Sequence, residues 1–191
     1  MIEVFKKYIS EKITLAEEEY SIIESVCISR KVKKRQFIMH EGEVCKQIAF
    51  VCKGFLRTYF IDDNGDEHIM NFAPENYWSG DRESLMSGFP SKYNIDALED
   101  SDIIVIKKAD FDEICKRIPS FNDMTNAILQ KSLVVAQQRI HASITYSAEE
   151  KYNYFLSKYP SLVNRVPQHM IASYLGLSRE TLSRVRKNRL G

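Results

Sequence analysis

Apolar residues recur along this chain first at helical, then at strand, then again at helical intervals. Val4, Phe5, Tyr8 and Ile9 share one helical face, so residues 1–26 read as helical. Leu15, Tyr20, Ile22 and Ile23 continue the pattern as a second helix, with Thr14 expected as its cap and Glu17 at the capping-box position. From about Ser29 the period changes. Residues 36–39, 48–52, 55–61, 68–72, 93–98 and 103–106 form short runs rich in β-branched and aromatic side chains. Glu41-Gly42-Glu43, Lys53-Gly54 and Asp62-Asp63-Asn64-Gly65-Asp66 separate them as turns, and Asn64-Gly65 is a strong hairpin signal. Many short strands at roughly ten-residue spacing predict a β-sandwich or barrel.

After residue 108 the helical period returns. Residues 109–117 predict a short helix that closes before Pro119. A long helix follows over 120–143, where Leu129, Leu133, Ala136, Ile140 and Ile144 make a stripe at spacings of four and three. A stripe of that width can pair with a second copy of the chain. The alternative is a helix lying on its own β domain. Residues 145–148 read as a hinge, and 148–159 as a further helix with Tyr152, Phe155, Leu156 and Tyr159 inward.

The last segment carries the most specific pattern. Pro167 suits the first position of a helix, and Met170, Ile171, Tyr174 and Leu175 give that helix one apolar face. Ala172 is small where a second helix must pass. Gly176 suits a left-handed helix stop, and Ser178 suits the cap of a new helix with Glu180 in its first turn. Leu182 and Val185 then point inward. The opposite face carries Arg179, Glu180, Ser183, Arg184 and Lys187. This is the spacing of a helix-turn-helix, which lays its second helix in the DNA major groove. Arginine can bond guanine bidentately, Glu can accept from cytosine, and Ser, Thr and Lys can hold phosphates.

Charge supports this reading. Residues 164–191 hold six Arg or Lys against the one acid Glu180, a net of +5, whereas the whole chain is +1. A basic end on a mildly acidic body marks a local polyanion site. The run Arg30 to Arg35 could add a second basic patch, but a solvated turn is the favoured reading. No apolar run approaches the length of a membrane span, and no signal-peptide core precedes residue 8, so a cytoplasmic protein is expected. Cys27, Cys45, Cys52 and Cys115 form no C-x-x-C pair and are expected as reduced thiols. His40, His68, His141 and His169 show no metal-ligand spacing, so no metal is expected, and no nucleophile elbow, P-loop or GxGxxG argues for an enzyme.

The order of strand domain, long helix, hinge and helix-turn-helix resembles the cyclic-AMP receptor protein and fumarate–nitrate regulator family of transcription factors. The resemblance covers nearly the whole chain. It is strongest at Leu177-Ser178-Arg179-Glu180-Thr181-Leu182-Ser183-Arg184, with further support from Gly42 and Gly54 flanking Ile48-Ala49-Phe50-Val51. It implies that Arg179, Glu180 and Arg184 read bases while Ser178 and Thr181 hold phosphates. It also implies an effector pocket around Trp78, Asp81, Arg82, Ser91, Lys92 and Tyr93. There the sequence departs from the family. Asp81 stands where the family has Glu, and Ser91 where it has the Arg that grips the cyclic phosphate. A serine hydroxyl cannot replace that bidentate contact, so cyclic AMP is not expected. An unknown small effector, or no effector, remains open. The first cysteine is Cys27 and the next Cys45, which argues against an iron–sulfur cluster; His68 is the one candidate haem ligand, but a half-exposed strand histidine is the favoured reading. Family members commonly continue into a β-hairpin wing. This chain stops at Gly191, which is expected to weaken DNA binding and flatten its salt slope.

The expected fold class is therefore α+β: a double-stranded β-helix (β-roll) effector domain, a long dimerisation helix, and a helix-turn-helix lacking a full wing. The expected divisions are 1–118, 119–145 and 146–191. The expected partners are double-stranded DNA, a second copy of the chain and RNA polymerase, with no membrane. The alternative is a ligand-binding or protein-interaction module whose truncated helix-turn-helix no longer binds DNA specifically.

Overall fold

A computed structural model describes residues 1–190; Gly191, and with it the expected stop before a wing, lies outside them. The elements run α1 (Ile2–Ser10), α2 (Glu17–Val26), β1 (Ile28–Val32), β2 (Phe37–Met39), β3 (Gln47–Lys53), β4 (Leu56–Ile61), β5 (Glu67–Ala73), β6 (Trp78–Ser79), α3 (Arg82–Ser87), β7 (Asn94–Ala97), β8 (Ser101–Lys107), α4 (Lys108–Arg117), α5 (Pro119–Thr145), α6 (Ala148–Lys158), α7 (Gln168–Leu175) and α8 (Arg179–Leu190). They form two compact units. One is Met1–Phe60 with Asn71–Ile128; the other is Ile61–Met70 with Leu129–Gly191. The sequence placed its divisions after 118 and 145. The units divide ten residues later, within α5, because Met124 and Ile128 still pack into the core of the first unit. The 61–70 segment belongs with the C-terminal unit.

The first unit is a β-roll of two four-stranded antiparallel sheets, ordered β1-β8-β3-β6 and β2-β7-β4-β5. Val51, Leu56, Ala97 and Ile103 fill the space between the sheets. On the outer side of the first sheet, Phe5 and Ile9 of α1 are fully buried against Phe50 and Ile104. Phe5 lies 4.9 Å from the Phe50 ring and 5.5 Å from Trp78, and each such buried aromatic contributes about 1.5–3 kcal/mol through removal from water. Gly54 takes a positive φ of 95° before β4, and a Cβ there would sit 2.3 Å from Ser101 Oγ and 2.7 Å from its Cα, so only glycine fits.

Several local expectations need correction. α2 starts at Glu17, and its cap position is Ala16, whose amide donates to Glu19 Oε2 at 2.8 Å. Thr14 is therefore not the cap. Arg30 and Lys31 are not in a turn; they lie in β1, which pairs with β8. Lys33 instead ion-pairs with Asp100 at 2.9 Å, and the Lys34 amide donates to the same carboxylate. The two-residue β6 and the six-residue α3 were not foreseen.

In the second unit, Tyr152 and Phe155 of α6, Ile171 and Ala172 of α7, and Leu182 of α8 are buried. The hinge is a built helix start. Ser147 Oγ accepts from the Glu150 amide at 3.2 Å, and the Ser147 amide donates back to Glu150 Oε2 at 2.7 Å, a complete capping box.

Candidate nucleic-acid interface and effector cavity

The turn between α7 and α8 follows from its residues. Pro167 occupies the cap position, one residue before the helix begins at Gln168, and not the first helical position that the sequence suggested. Gly176 closes α7 with φ 64°. The Leu177 amide donates to Ala172 O at 2.9 Å and the Gly176 amide to Ser173 O at 3.1 Å, the paired closure that a left-handed glycine allows. Two residues on, Ser178 Oγ accepts from the Thr181 amide at 3.1 Å and starts α8.

α8 then divides into two faces. Leu182 is 1% exposed and Val185 is half-buried. Arg179, Glu180, Ser183, Arg184 and Lys187 are all exposed, as is Ser178 just before the helix. Thr181 is half-buried, and its Oγ1 accepts from the Ser178 hydroxyl at 3.0 Å. These two hydroxyls are thus engaged with each other at the helix start. A hydrogen bond from its own amide chiefly holds the Glu180 carboxyl below the usual carboxylate range, so it is an anionic acceptor at neutral pH. The exposed face therefore offers two guanidinium groups, an ammonium group and one carboxylate, a donor–acceptor set suited to base edges and phosphates.

The effector residues expected from the sequence do not converge. Trp78 is part of the core, T-shaped to Phe50, with Nε1 donating to Tyr8 Oη at 3.3 Å. Asp81 is buried because it caps α3, its Oδ1 accepting from the Glu83 amide at 3.0 Å and the Ser84 amide at 3.4 Å. Ser91 Oγ is bonded within its own turn to the Tyr93 amide at 3.0 Å. Arg82 and Lys92 are exposed, and Tyr93 packs beside Met39 and Ile95. None of the six lines the cavity that the β-roll does contain.

That cavity is about 250 Å³, walled by Ile38, Met39, Cys45, Ala49 and Ile95, with Ser79 among them. Exposed Glu43 and Lys46 border it with opposite charges. Ser79 Oγ is buried and, among the described residues, has no hydrogen-bond partner. Burial pushes the Cys45 thiol up from its ordinary value, and its Sγ donates to Gln47 O at 3.3 Å. The acid that should meet a ribose is engaged in a helix cap, and among the described residues no guanidinium lines the cavity. The residues present do not fit a cyclic nucleotide. The cavity could not have been read from the sequence, because β2, β3, β6 and β7 assemble it from distant positions.

All four cysteines are free. Among the described residues no three His, Cys, Asp or Glu side chains come together as a metal site, and no helix is long and apolar enough to cross a membrane. His68, the candidate haem ligand, is instead paired with Asp62 at 2.9 Å.

The chain thus combines a β-roll, a long helix and a helix-turn-helix. Residues 29–118 match the cyclic nucleotide-binding domain family. The regulatory protein HlyX of Actinobacillus pleuropneumoniae is 27% identical over 90% of this chain and 76% of its own length. The transcriptional activator protein Anr of Pseudomonas aeruginosa is 25% identical over 88% of this chain and 73% of its own. FixK2 from Bradyrhizobium japonicum shares the fold, with a TM-score of 0.74, 20% identity, and coverage of 85% of this chain and 84% of that one. Residues 29–118 thus belong to the cyclic nucleotide-binding domain family, and over nearly its whole length the chain is similar to transcription regulators of the Crp/Fnr type.

Proposed function

We propose that this chain binds double-stranded DNA sequence-specifically as a homodimer and regulates transcription, with α8 reading the major groove. The observation that carries this is α8 itself: Leu182 anchors it inward while Arg179, Glu180, Arg184 and Lys187 face solvent together. Arg179, Glu180 and Arg184 take base edges, and Ser183 and Lys187 take phosphates. Ser178 and Thr181 chiefly fix the helix start, which sets the other five.

Dimerisation rests on α5. Leu133 and Ile140 are 61% exposed and Ile144 is 78% exposed, at spacings of seven and four on one 27-residue helix. Gln137 lies between them at the same seam spacing. A self-complementary apolar stripe with a central amide suits a two-stranded coiled coil. One helix-turn-helix reads only a half-site, so pairing supplies the second.

The β-roll cavity, walled mostly by Ile38, Met39, Ala49 and Ile95, suits a small, largely apolar effector without a phosphate. The Anr proteins are named transcriptional activators; the same role here requires the DNA-bound dimer to contact RNA polymerase. A regulator of this kind works with the chromosome in the cytoplasm. The relatives compared above are regulators by name, which supports this reading over the interaction-module alternative.

The test is selection of bound sequences from a random duplex pool at two salt concentrations. A two-fold motif with half-sites about one helical turn apart supports the reading. Retention without any enriched motif, falling with salt, contradicts it.

A further inference from the structure

The tip of the β4–β5 hairpin is tied to the first helix of the helix-turn-helix through one hydroxyl. β5 is the outer strand of its sheet. Ser173, on α7, accepts from the Ile69 amide at 2.9 Å and donates to the Glu67 carbonyl at 3.0 Å. Residues 67 and 69 of a strand present these groups along the same edge, so the hydroxyl takes the place of a neighbouring strand's peptide group. One residue on, the Met70 carbonyl accepts from the Arg139 guanidinium. That guanidinium also lies over the Tyr174 ring, 4.4 Å from its centroid, so Arg139 of α5 joins the strand to the residue after Ser173.

The hairpin tip is itself braced. Asp62 Oδ1 accepts from the Asn64 amide at 2.9 Å and the Asp66 amide at 3.0 Å, while Oδ2 pairs with His68 Nε2 at 2.9 Å. The Gly65 amide returns to Asp62 O at 2.9 Å. The bonds to Ser173 are therefore made by a pre-shaped edge and not by a loose loop. Nor do they cover the reading face, since Arg179, Glu180, Arg184 and Lys187 stay exposed while Ser173 is engaged. This excludes a blocking role and leaves a positioning one.

We infer that Ser173 and Arg139 are positioning residues that set which half-site spacing this regulator accepts. The inference rests on the dimeric DNA-binding reading above. Held only by the hinge at Tyr146 and Ser147 and by the hydrogen bond from Tyr154 Oη to Gln138 Oε1 at 3.0 Å, the helix-turn-helix would sample more presentations of α8, and DNA would have to select among them at an entropic cost. Holding α7 against the hairpin removes that freedom before binding. The two α8 helices of a dimer then meet one half-site separation and penalise the others. Neither residue needs to touch DNA.

The experiment uses the full chain and the motif selected by the unaltered protein, with duplexes in which the half-sites are moved closer or farther apart by one and two base pairs. Alanine is the stronger helix former, so Ser173→Ala does not endanger α7. Ser173→Ala and Arg139→Gln are each expected to bind the preferred duplex about fivefold more weakly, the loss of roughly one net hydrogen bond. They are also expected to accept the shifted spacings nearly as well as the preferred one, with base preference inside each half-site unchanged. Ser173→Thr, which keeps the hydroxyl, is expected to restore discrimination. Wild-type spacing discrimination in both Ser173→Ala and Arg139→Gln would overturn the inference. If the unaltered protein selects no paired motif, the DNA-binding reading fails first and this inference with it.

Discussion

The Ser178 hydroxyl accepts the Thr181 amide at 3.1 Å, and this single contact fixes where the reading helix begins. Ser178→Ala should destabilise the C-terminal unit by about 1 kcal/mol, the usual worth of a helix cap. Ser178→Asp should keep the cap and the stability, yet weaken DNA binding by adding an anion beside phosphates. Urea unfolding followed by DNA titration of both variants separates the two roles. Equal loss of stability in both would remove the cap from the account.

The exposed stripe on α5 should be the dimer contact. Ile140→Glu puts a charge at its centre, where pairing would bury it unpaired at a cost of several kcal/mol. Sedimentation should then find a monomer where the unaltered chain is a dimer, with far-UV dichroism unchanged because Ile140 is exposed within one protomer. A dimer that survives this change would place the interface elsewhere.

How much of this was legible depended on distance along the chain. The helix-turn-helix could be read because its small residue, turn glycine, cap and inward leucine all act within a dozen positions. The Asn64-Gly65 hairpin was legible for the same reason. Trp78 was assigned to a pocket because it falls in the stretch that matches the family's effector site, yet it is held by Tyr8, seventy positions away. Asp81 carries the acidic character expected of a ligand-binding residue, but a helix of only six residues uses it as a cap. β1 looked like a basic turn because it opens the run Arg30 to Arg35 and Val32 alone is buried, and only β8 makes that segment a strand.

Within the β-roll, Arg57 and Asp96 form a buried, two-pronged ion pair across β4 and β7, at 2.8 and 2.9 Å. Their side chains are only 8% and 7% exposed. Asp96→Ala leaves a buried guanidinium without this carboxylate and should cost about 3–5 kcal/mol. The double change Arg57→Met with Asp96→Leu should cost much less, because no buried charge remains. Chemical denaturation of the three proteins checks this, and a double variant as unstable as Asp96→Ala would contradict it.

The thiols give the fold a pH dependence. Burial pushes Cys27 up to about 12 and Cys52 up to about 11, against an ordinary thiol value of 9.0. Between pH 9 and these values the folded chain holds protons that the unfolded chain has released. The stability the neutral thiols contribute is thus complete below pH 9 and is lost as pH rises through 11 and 12. The midpoint of urea unfolding should fall steadily over that alkaline range, and replacing both residues with Ala should flatten the fall. At pH 8 both thiols should resist alkylation in the folded protein and react once it is unfolded.

The most direct test of the central claim compares the motif selected by the unaltered chain with that selected by Arg179→Ala and Arg184→Ala. The account predicts that each variant loses preference at one base position, mirrored in both half-sites, at about 1–3 kcal/mol per site. The remaining positions and the half-site spacing should stay as they were. Motifs identical to that of the unaltered chain would contradict the assignment of α8 as the reading element.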